Sequence, residues 1–132
     1  MIARPLRLRR PFEFERVRKR GRSWTTPLLV LAVLPNELEH NRYGFAVGRR
    51  VGGAASRNRV KRWMRESTRD LHPQLLQGKD LVFIARGAVT AEGVNFEQVR
   101  DAMRTLSRKA GLLDESDRSQ QIPPDSSGSR SA

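Results

Sequence analysis

A strongly basic segment, SRNRVKRWMRE at positions 56–66, most constrains what this chain can fold into. Read with helical spacing, the segment and the residues after it place one set of apolar side chains on one side: Val60, Trp63, Met64 and Leu71. On another side, basic residues recur every four positions and form a cationic ridge: Arg57, Lys61, Arg65 and Arg69. A solvated helix face usually mixes charges of both signs, whereas Glu66 is the single acid here. The segment therefore predicts a helix that buries one side in a core and offers another to a polyanion.

The charge of the whole chain supports the same partner class. The net charge is +12, and 22 of the 26 basic residues are arginines, whose guanidinium groups match phosphate oxygens in bidentate fashion. Residues 1–22 carry nine bases and two acids, and residues 49–69 carry eight bases and one acid. Two basic blocks favour nucleic acid as partner. An anionic membrane is the alternative, but neither block is flanked by a long apolar run.

Length and composition set the organisation of the chain. Its 132 residues predict one domain with a modest core. We expect a basic arm over residues 1–10, a folded domain over 11–112, and a disordered acidic, Ser-rich tail over 113–132. There is no cysteine, no secretory signal and no apolar run long enough to span a membrane, so a cytoplasmic location is predicted.

Periodicity predicts an α-β-β-α-β-α order, with room for one further strand, and hence a protein of the α/β (α+β) class. The basic helix is expected to begin at Ser56 as N-cap. The last helix is expected to be capped by Asn95, with Gln98 three residues later. The predicted helices cover residues 11–20, 56–71 and 95–110, and the predicted strands cover residues 27–34, 43–51 and 80–86.

A catalytic constellation is hard to build from this sequence. His40 and His72 are the only histidines, and both are predicted to lie at the surface. Glu66 and Asp70 could share a metal, but pairing with neighbouring arginines of the same helix is favoured. A stand-alone nuclease is therefore disfavoured, and if the protein takes part in catalysis, another molecule is expected to supply the reacting groups.

The residues of this sequence suit RNA binding better than catalysis. The start of the basic helix adds free backbone N–H groups, and Asn58 offers both a donor and an acceptor. Phe14 and Tyr43 are candidates for stacking on bases, although burial in the core is equally expected for each. Small residues alternate along the strand over 43–51, and they either make room for a ligand or simply pack closely.

The chain resembles the bacterial ribonuclease P protein family in several sequence blocks. The run RNRVKR at 57–62, followed by Arg65-Glu66, resembles the RNR signature of that family. Further blocks agree in order and spacing: LRR at 8–10, FERV at 14–17 with Gly21, YGFAVGRRVG at 43–52, and DLVFIAR at 80–86. The resemblance spans about residues 7–112.

The resemblance implies a two-layer sandwich of a four-stranded sheet and three helices, with a left-handed β-α-β crossover, against the usual right-handed rule. It also implies an accessory subunit of an RNA-based endoribonuclease. In that family the RNA subunit, with Mg²⁺, removes the 5′ leader of precursor tRNA. The implied partners are the catalytic RNA and precursor tRNA, with no membrane and no obligate protein partner.

The resemblance assigns residues to two surfaces. Together with the cationic ridge, the RNA-binding set is Arg57, Asn58, Arg59, Lys61, Arg62, Arg65 and Arg69. The implied 5′-leader cleft contains Phe14, Ala46 and Arg50, with Arg57 and Lys61 at its edge. No catalytic residue and no metal ligand is assigned to the protein. Where some relatives carry aromatic residues, this chain has Arg18 and Ala32, which predicts more reliance on charge. The alternative is a general RNA-binding or ribosome-associated protein without a processing role.

Overall fold

A computed structural model describes residues 6–113 of the chain. Three helices, α1 to α3, and four strands, β1 to β4, follow one another in the order α1 (Pro11–Arg20), β1 (Arg22–Thr25), β2 (Leu29–Pro35), β3 (Arg42–Ala46), α2 (Ala54–Leu71), β4 (Lys79–Ala85) and α3 (Phe96–Lys109). The strands form one mixed sheet in the order β1-β2-β4-β3. β2 is antiparallel to β1 and β4, whereas β3 runs parallel to β4. The basic helix α2 therefore connects two neighbouring parallel strands.

The sheet buries both faces, because side chains alternate between them along each strand. On one face, inward residues such as Leu31 and Phe83 join the main core with α2 and α3. On the other face, Ala32 and Val82 pack with Leu8 and with Val17 of α1 in a smaller cluster. Helix α1 lies over β2 and β4, so it adds a partial third layer to the predicted two-layer sandwich.

Helix α1 is held on the sheet by a polar network. Asp80, at the start of β4, is 1% exposed and accepts hydrogen bonds from Arg42 Nε and Nη2 at 2.9 and 2.8 Å. Arg42 also lies 3.6 Å from Glu13, whose Oε1 accepts from the backbone N–H groups of Arg9 and Arg10 at 3.0 Å. The network joins the start of α1 to β3 and β4, and thereby holds the helix on this face of the sheet.

Three of the predicted elements need correction. The predicted strand over 43–51 ends at Ala46, because its partner β4 ends at Ala85 and the next residues have no strand to pair with. Helix α2 begins at Ala54, with Gly53 rather than Ser56 at the N-cap, since Ala54 and Ala55 extend the helix. The further strand is β1, which precedes the apolar run instead of splitting it.

The other elements are confirmed. Helix α1 begins at Pro11 and ends before Gly21, and α3 has the capping box of Asn95 and Gln98 with hydrogen bonds of 3.0 and 3.2 Å. The α+β class, the four-stranded sheet and the three helices are confirmed. The hand of the β3-α2-β4 crossover stays a prediction.

The predicted arm is partly within the described residues. Leu8 is buried, and its N–H donates to the carbonyl of Tyr43 at 2.8 Å, so Arg7 and Leu8 lie along β3. Residues 1–5 and 114–132 lie outside the described residues, and the disorder expected for the tail stays a prediction. Within residues 6–113, no helix combines the length and the apolar character that crossing a membrane requires.

Candidate RNA interface

Helix α2 distributes its side chains over three sides. Val60, Met64 and Leu71 are buried in the core as predicted, and Trp63 is half-buried at its margin. Two buried positions, Ser67 and Thr68, complete the inner stripe. The basic residues of the cationic ridge lie outside this stripe: Arg57, Lys61 and Arg65 are half-exposed and Arg69 is exposed.

The inner members of the cationic ridge border a cleft. Lys61 and Arg65 are half-exposed and line an open cavity of about 420 Å³ together with residues before α1, in α1 and in β3: Arg7, Leu8, Arg9, Phe14, Tyr43 and Phe45. Four of the lining residues are basic, and within residues 6–113 none of them forms an ion pair within 4.0 Å: Arg7, Arg9, Lys61 and Arg65. The cleft therefore combines apolar walls with four cationic groups that are open to an anionic ligand.

Phe14 owes its position in the cleft to a glycine. A Cβ atom built on Gly44 would lie 2.7 Å from Cζ of Phe14 and 3.3 Å from Cβ of Leu8. The ring therefore lies directly on the backbone of β3, where no other residue type would leave room. The small residues of β3 were expected either to make room for a ligand or to pack closely. At Gly44 they pack closely, and the packed Phe14 ring forms part of the cleft wall.

Four further RNA-binding candidates of α2 do not line the cleft. Asn58, Arg59, Arg62 and Arg69 are all exposed. Arg59 lies over the ring of Trp63, with 5.7 Å from its Cζ to the ring centroid. Such a pair keeps the guanidinium close to the helix surface, and its exposed side stays accessible to a base or a phosphate.

The loop before α2 places the other predicted residues. Arg57 is half-buried, and its Nε donates to the carbonyl of Gly52 at 3.1 Å, so it braces the loop. Arg50 is exposed in a 3₁₀ turn, Arg49–Val51, and Ala46 is half-buried at the end of β3. Neither Ala46 nor Arg50 lines the cavity that contains Phe14.

Ala32 and Arg18, the two positions noted in the comparison with the family pattern, lie in different environments. Ala32 is 2% exposed beneath α1, so it packs in the smaller core cluster and presents nothing to a ligand. Arg18 is exposed on the same flank of α1 as Phe14, one helical turn further along. This flank of α1 therefore presents a positive charge next to Phe14.

Tyr43 is tied into the protein at the back of the cleft. Its hydroxyl lies 2.7 Å from Nδ1 of His72 and accepts from Nδ2 of Asn41 at 3.1 Å. Burial raises the pKa of Tyr43 to about 12, although its hydrogen bonds with Asn41 and Gln77 act in the opposite direction. Burial and, second, the charge of His40 lower the pKa of His72. The lowered pKa favours the neutral imidazole, and the tautomer of its ring decides which partner donates in this hydrogen bond.

The surroundings also shift the pKa values of Arg42 and Glu13, which hold α1 on the sheet. The hydrogen bonds to Asp80 raise the pKa of Arg42. Burial acts to raise the pKa of Glu13, but the Arg10 and Arg9 backbone N–H groups and the nearby charges outweigh it and lower that pKa. Both groups stay charged at neutral pH, so the network next to the cleft is permanently ionic.

The acidic residues of α2 do not build a metal site. Within residues 6–113, no group of three histidine, aspartate or glutamate side chains is placed to hold a metal ion. The expected pairing of Glu66 or Asp70 with the arginines of α2 is also absent among these residues at the 4.0 Å limit. The expectation of intrahelical pairing is therefore wrong, because the arginines turn towards the cleft, solvent or Trp63.

Two cleft residues were missed by the sequence analysis. Arg7 and Arg9 flank the buried Leu8 in an extended segment, so both point away from the core towards the cleft. An alternating pattern of Arg, Leu and Arg next to a strand was the available signal. Basic residues at a chain terminus are, however, usually solvated, and only the pairing with β3 brings them to the site.

Comparisons with known proteins agree with this arrangement. A sequence model of the family described as Ribonuclease P matches residues 2–111. The ribonuclease P protein component of Roseiflexus sp. (strain RS-1) is 42% identical over 119 residues, which cover 90% of this chain and 97% of the relative. That of Chloroflexus aurantiacus (strain ATCC 29366 / DSM 635 / J-10-fl) is 47% identical over 114 residues, covering 85% and 82%.

Solved structures show the same fold. The ribonuclease P protein of Thermotoga maritima is 33% identical and superimposes with a TM-score of 0.71, covering 77% of this chain and 96% of that one. The Staphylococcus aureus protein is 28% identical with a TM-score of 0.74, covering 82% and 97%. The fold, the basic α2 and the sequence relatives agree along nearly the whole described chain, and the chain therefore belongs to the ribonuclease P protein family as a protein component of that enzyme.

Proposed function

We propose that this subunit holds the single-stranded 5′ leader of precursor tRNA in the cleft around Phe14, while the outer side of α2 docks on the catalytic RNA. The observation that supports the proposal is the composition of the cleft. A half-exposed aromatic ring lies among four unpaired cations, Arg7, Arg9, Lys61 and Arg65. Aromatic faces stack on unpaired bases of any sequence, and cations follow the phosphate backbone. This combination suits a leader whose sequence varies.

The protein's share of the reaction is binding and orientation. The cleft holds the leader, and Arg59, Arg62 and Arg69 offer exposed guanidinium groups to the catalytic RNA. By neutralising phosphates on both RNAs, the protein lowers the repulsion between two polyanions. In the proposed mechanism the RNA carries out the hydrolysis with Mg²⁺. The described residues do not fit a metal site, and no step of the protein's action passes through the ion. The proposed location is the cytoplasm.

Processing of precursor tRNA tests the proposal. The cognate catalytic RNA is assayed at low Mg²⁺ with and without the protein, across several salt concentrations. We expect the protein to raise kcat/KM, because it supplies charge neutralisation that Mg²⁺ otherwise provides. Absence of any gain at every condition would overturn the proposal. A general RNA-binding protein would bind mature and precursor tRNA equally, so a selectivity near one favours that alternative.

Two substitutions separate the proposed surfaces. Phe14→Ala should weaken binding of precursor tRNA by about tenfold, since base stacking contributes about 1–3 kcal/mol per base. Arg59→Ala should mainly weaken assembly with the catalytic RNA, because Arg59 lies on the outer side of α2. Titrations of each variant with each RNA measure both effects. The reverse pattern would show that the two surfaces are exchanged.

A further inference from the structure

A second basic groove lies on the flank of α1 opposite to Phe14. Residues 14 and 16 point to opposite flanks of a helix whose middle, Val17, is buried. On the far flank, one cavity of about 450 Å³ is lined by residues of α1 and the sheet end: Arg16, Arg20, Leu34, Pro35, Asn36, Glu37, Arg42 and Asp80. An adjoining cavity of about 200 Å³ shares Arg20, Leu34 and Pro35 with it. The two form one continuous groove across the end of β2.

The groove keeps an excess of basic side chains when the ion pair within it is left out. Asp80 is buried and already paired with Arg42, and Glu37 is the only other acid that lines either cavity. Arg20 and Lys79 form no ion pair with any of residues 6–113. Arg22 lines the same groove at the edge strand β1. The charges of Arg20 and Lys79 are therefore available to an anionic partner, and Arg22, which lies over the Trp24 ring at 5.5 Å, adds to the positive potential of the groove.

The sheet sets the spacing of these cations. Arg22 pairs with Val33 across β1 and β2, and Lys79 pairs with Pro35 across β2 and β4. Two strand spacings separate the two basic residues, about 10 Å across the sheet. Arg20 lines the same cavity together with Leu34 and Pro35. The three basic residues thus line one cavity at the sheet end, with Arg22 and Lys79 two strands apart, and this spread suits an extended chain of charges better than a single small anion.

A buried donor points to the same conclusion. Trp24 lines the groove and is 9% exposed, and its Nε1 has no hydrogen-bond acceptor among residues 6–113. A buried N–H group without a partner costs free energy, and an acceptor oxygen that reaches this atom on binding would remove that cost. Phosphate oxygens are strong acceptors and are also the natural partners of the arginines and the lysine.

From these basic residues and the orphaned donor we infer that the groove of Arg20, Arg22, Trp24 and Lys79 binds the phosphodiester backbone of a single-stranded RNA segment. The inference goes beyond the proposed function, since that function uses only the cleft around Phe14 and the outer side of α2. The groove and the cleft lie on opposite flanks of α1, so a long strand can occupy both while a short one fills only one. Binding to linked sites increases the affinity for the longer strand.

The test uses the full chain alone and single-stranded oligouridine of two lengths, about 4 and about 12 nucleotides. The groove variant is Arg20→Gln with Lys79→Gln. The control, Arg86→Gln with Arg100→Gln, removes the same charge from the opposite end of β4 and from α3. We expect the groove variant to bind the long strand about three- to tenfold more weakly. Its slope of log K against log salt should be less steep by about 1.4, the value for two phosphate contacts on a single strand.

The short strand separates the groove from a general charge effect. Because the cleft stays intact, the groove variant should bind the short strand within about twofold of the unaltered protein, while Lys61→Gln with Arg65→Gln weakens it clearly. The inference is overturned if the groove variant loses no more affinity for the long strand than the control does. It is also overturned if both lengths are weakened equally. Thermal melting checks folding, and the exposed single substitution Arg20→Gln repeats the test if the double variant unfolds. All these measurements use the protein without catalytic RNA, so they stand apart from the processing assay.

Discussion

At the residue scale, Asp80 links the fold to the site. It is 1% exposed and is held by Arg42 and by Nδ2 of Asn36 at 2.9 Å, while Arg16 approaches to 3.8 Å. A buried carboxylate is stable only when paired, and removing one member leaves the other charge uncompensated. Asp80 therefore determines the position of Arg42, and through Glu13 the position of α1.

Replacing Asp80 by Asn should destabilise the protein by about 3 kcal/mol, because the amide places N–H groups where Arg42 needs an acceptor. Urea unfolding followed by circular dichroism measures the change. Asp101→Asn is the matched control, since its pair with Arg100 at 3.4 Å lies at the surface and should contribute less than about 1 kcal/mol. A loss for Asp80→Asn no larger than that of the control would contradict this account.

His72 makes stability depend on pH. Burial and the charge of His40 lower its pKa in the folded protein below the ordinary 6.5. Between the folded and the ordinary pKa, the unfolded chain binds more protons, so stability falls as the pH drops. We expect the melting temperature to decrease from pH 7.5 through 6.5 towards 5.5, and His72→Gln to flatten most of this decrease.

The control for this titration is His40→Gln. It removes the smaller of the two causes, so a reduced but clear pH dependence should remain. Most carboxylates titrate below this range, which keeps the readout specific for histidine. An unchanged slope in His72→Gln would assign the pH dependence to another group.

At the element scale, the contact between α1 and β3 shapes the cleft. Gly44→Ala would place a methyl group 2.7 Å from the Phe14 ring, so the ring must move. We expect a loss of about 1–3 kcal/mol in the free energy of unfolding, together with weaker binding of precursor tRNA. Urea unfolding and RNA titration measure the two effects. Gly87→Ala is the matched control, because its Cβ would meet nothing within 4 Å. Equal behaviour of the two variants would contradict the proposed role of Gly44.

The elements differ in how far the sequence predicted them. Helix α3 was predicted within one residue at each end, because its apolar stripe and its capping box agree. The N-cap of α2 was predicted three residues too late, since Ser56 resembles an N-cap while Gly53 performs that role without a side chain. Strand β1 was missed because only Trp24 of its four residues is buried. An edge strand with one buried side chain gives no alternating pattern to detect.

At the scale of the whole molecule, the net charge of +12 is divided among surfaces with different neighbours. The cleft, the outer side of α2 and the second groove each present several cations, and the helices and sheet keep them apart. Separate basic surfaces allow one small protein to contact more than one RNA segment at once, whereas a single patch would bind them in competition.

Binding to the catalytic RNA should depend strongly on salt. With about six to ten phosphate contacts, log K should fall against log salt with a slope of about −4 to −9. Filter binding at several potassium concentrations measures the slope. Phe14→Ala serves as control, because it removes no charge and should leave the salt slope for precursor tRNA unchanged. A slope shallower than about −2 would mean that few phosphates are contacted.

The sequence by itself determined the partner class and most of the elements. The one-sign helix, the excess of arginine and the RNR signature depend on local spacing and composition, which the chain carries without folding. Tertiary structure decided which residues meet. It brought Arg7 and Arg9 from the N-terminal segment to Lys61 and Arg65 of α2, and it separated Arg50 from the cavity around Phe14. Those contacts depend on strand order and on the pairing of Arg7 and Leu8 with β3, and periodicity along the chain carries no information about either.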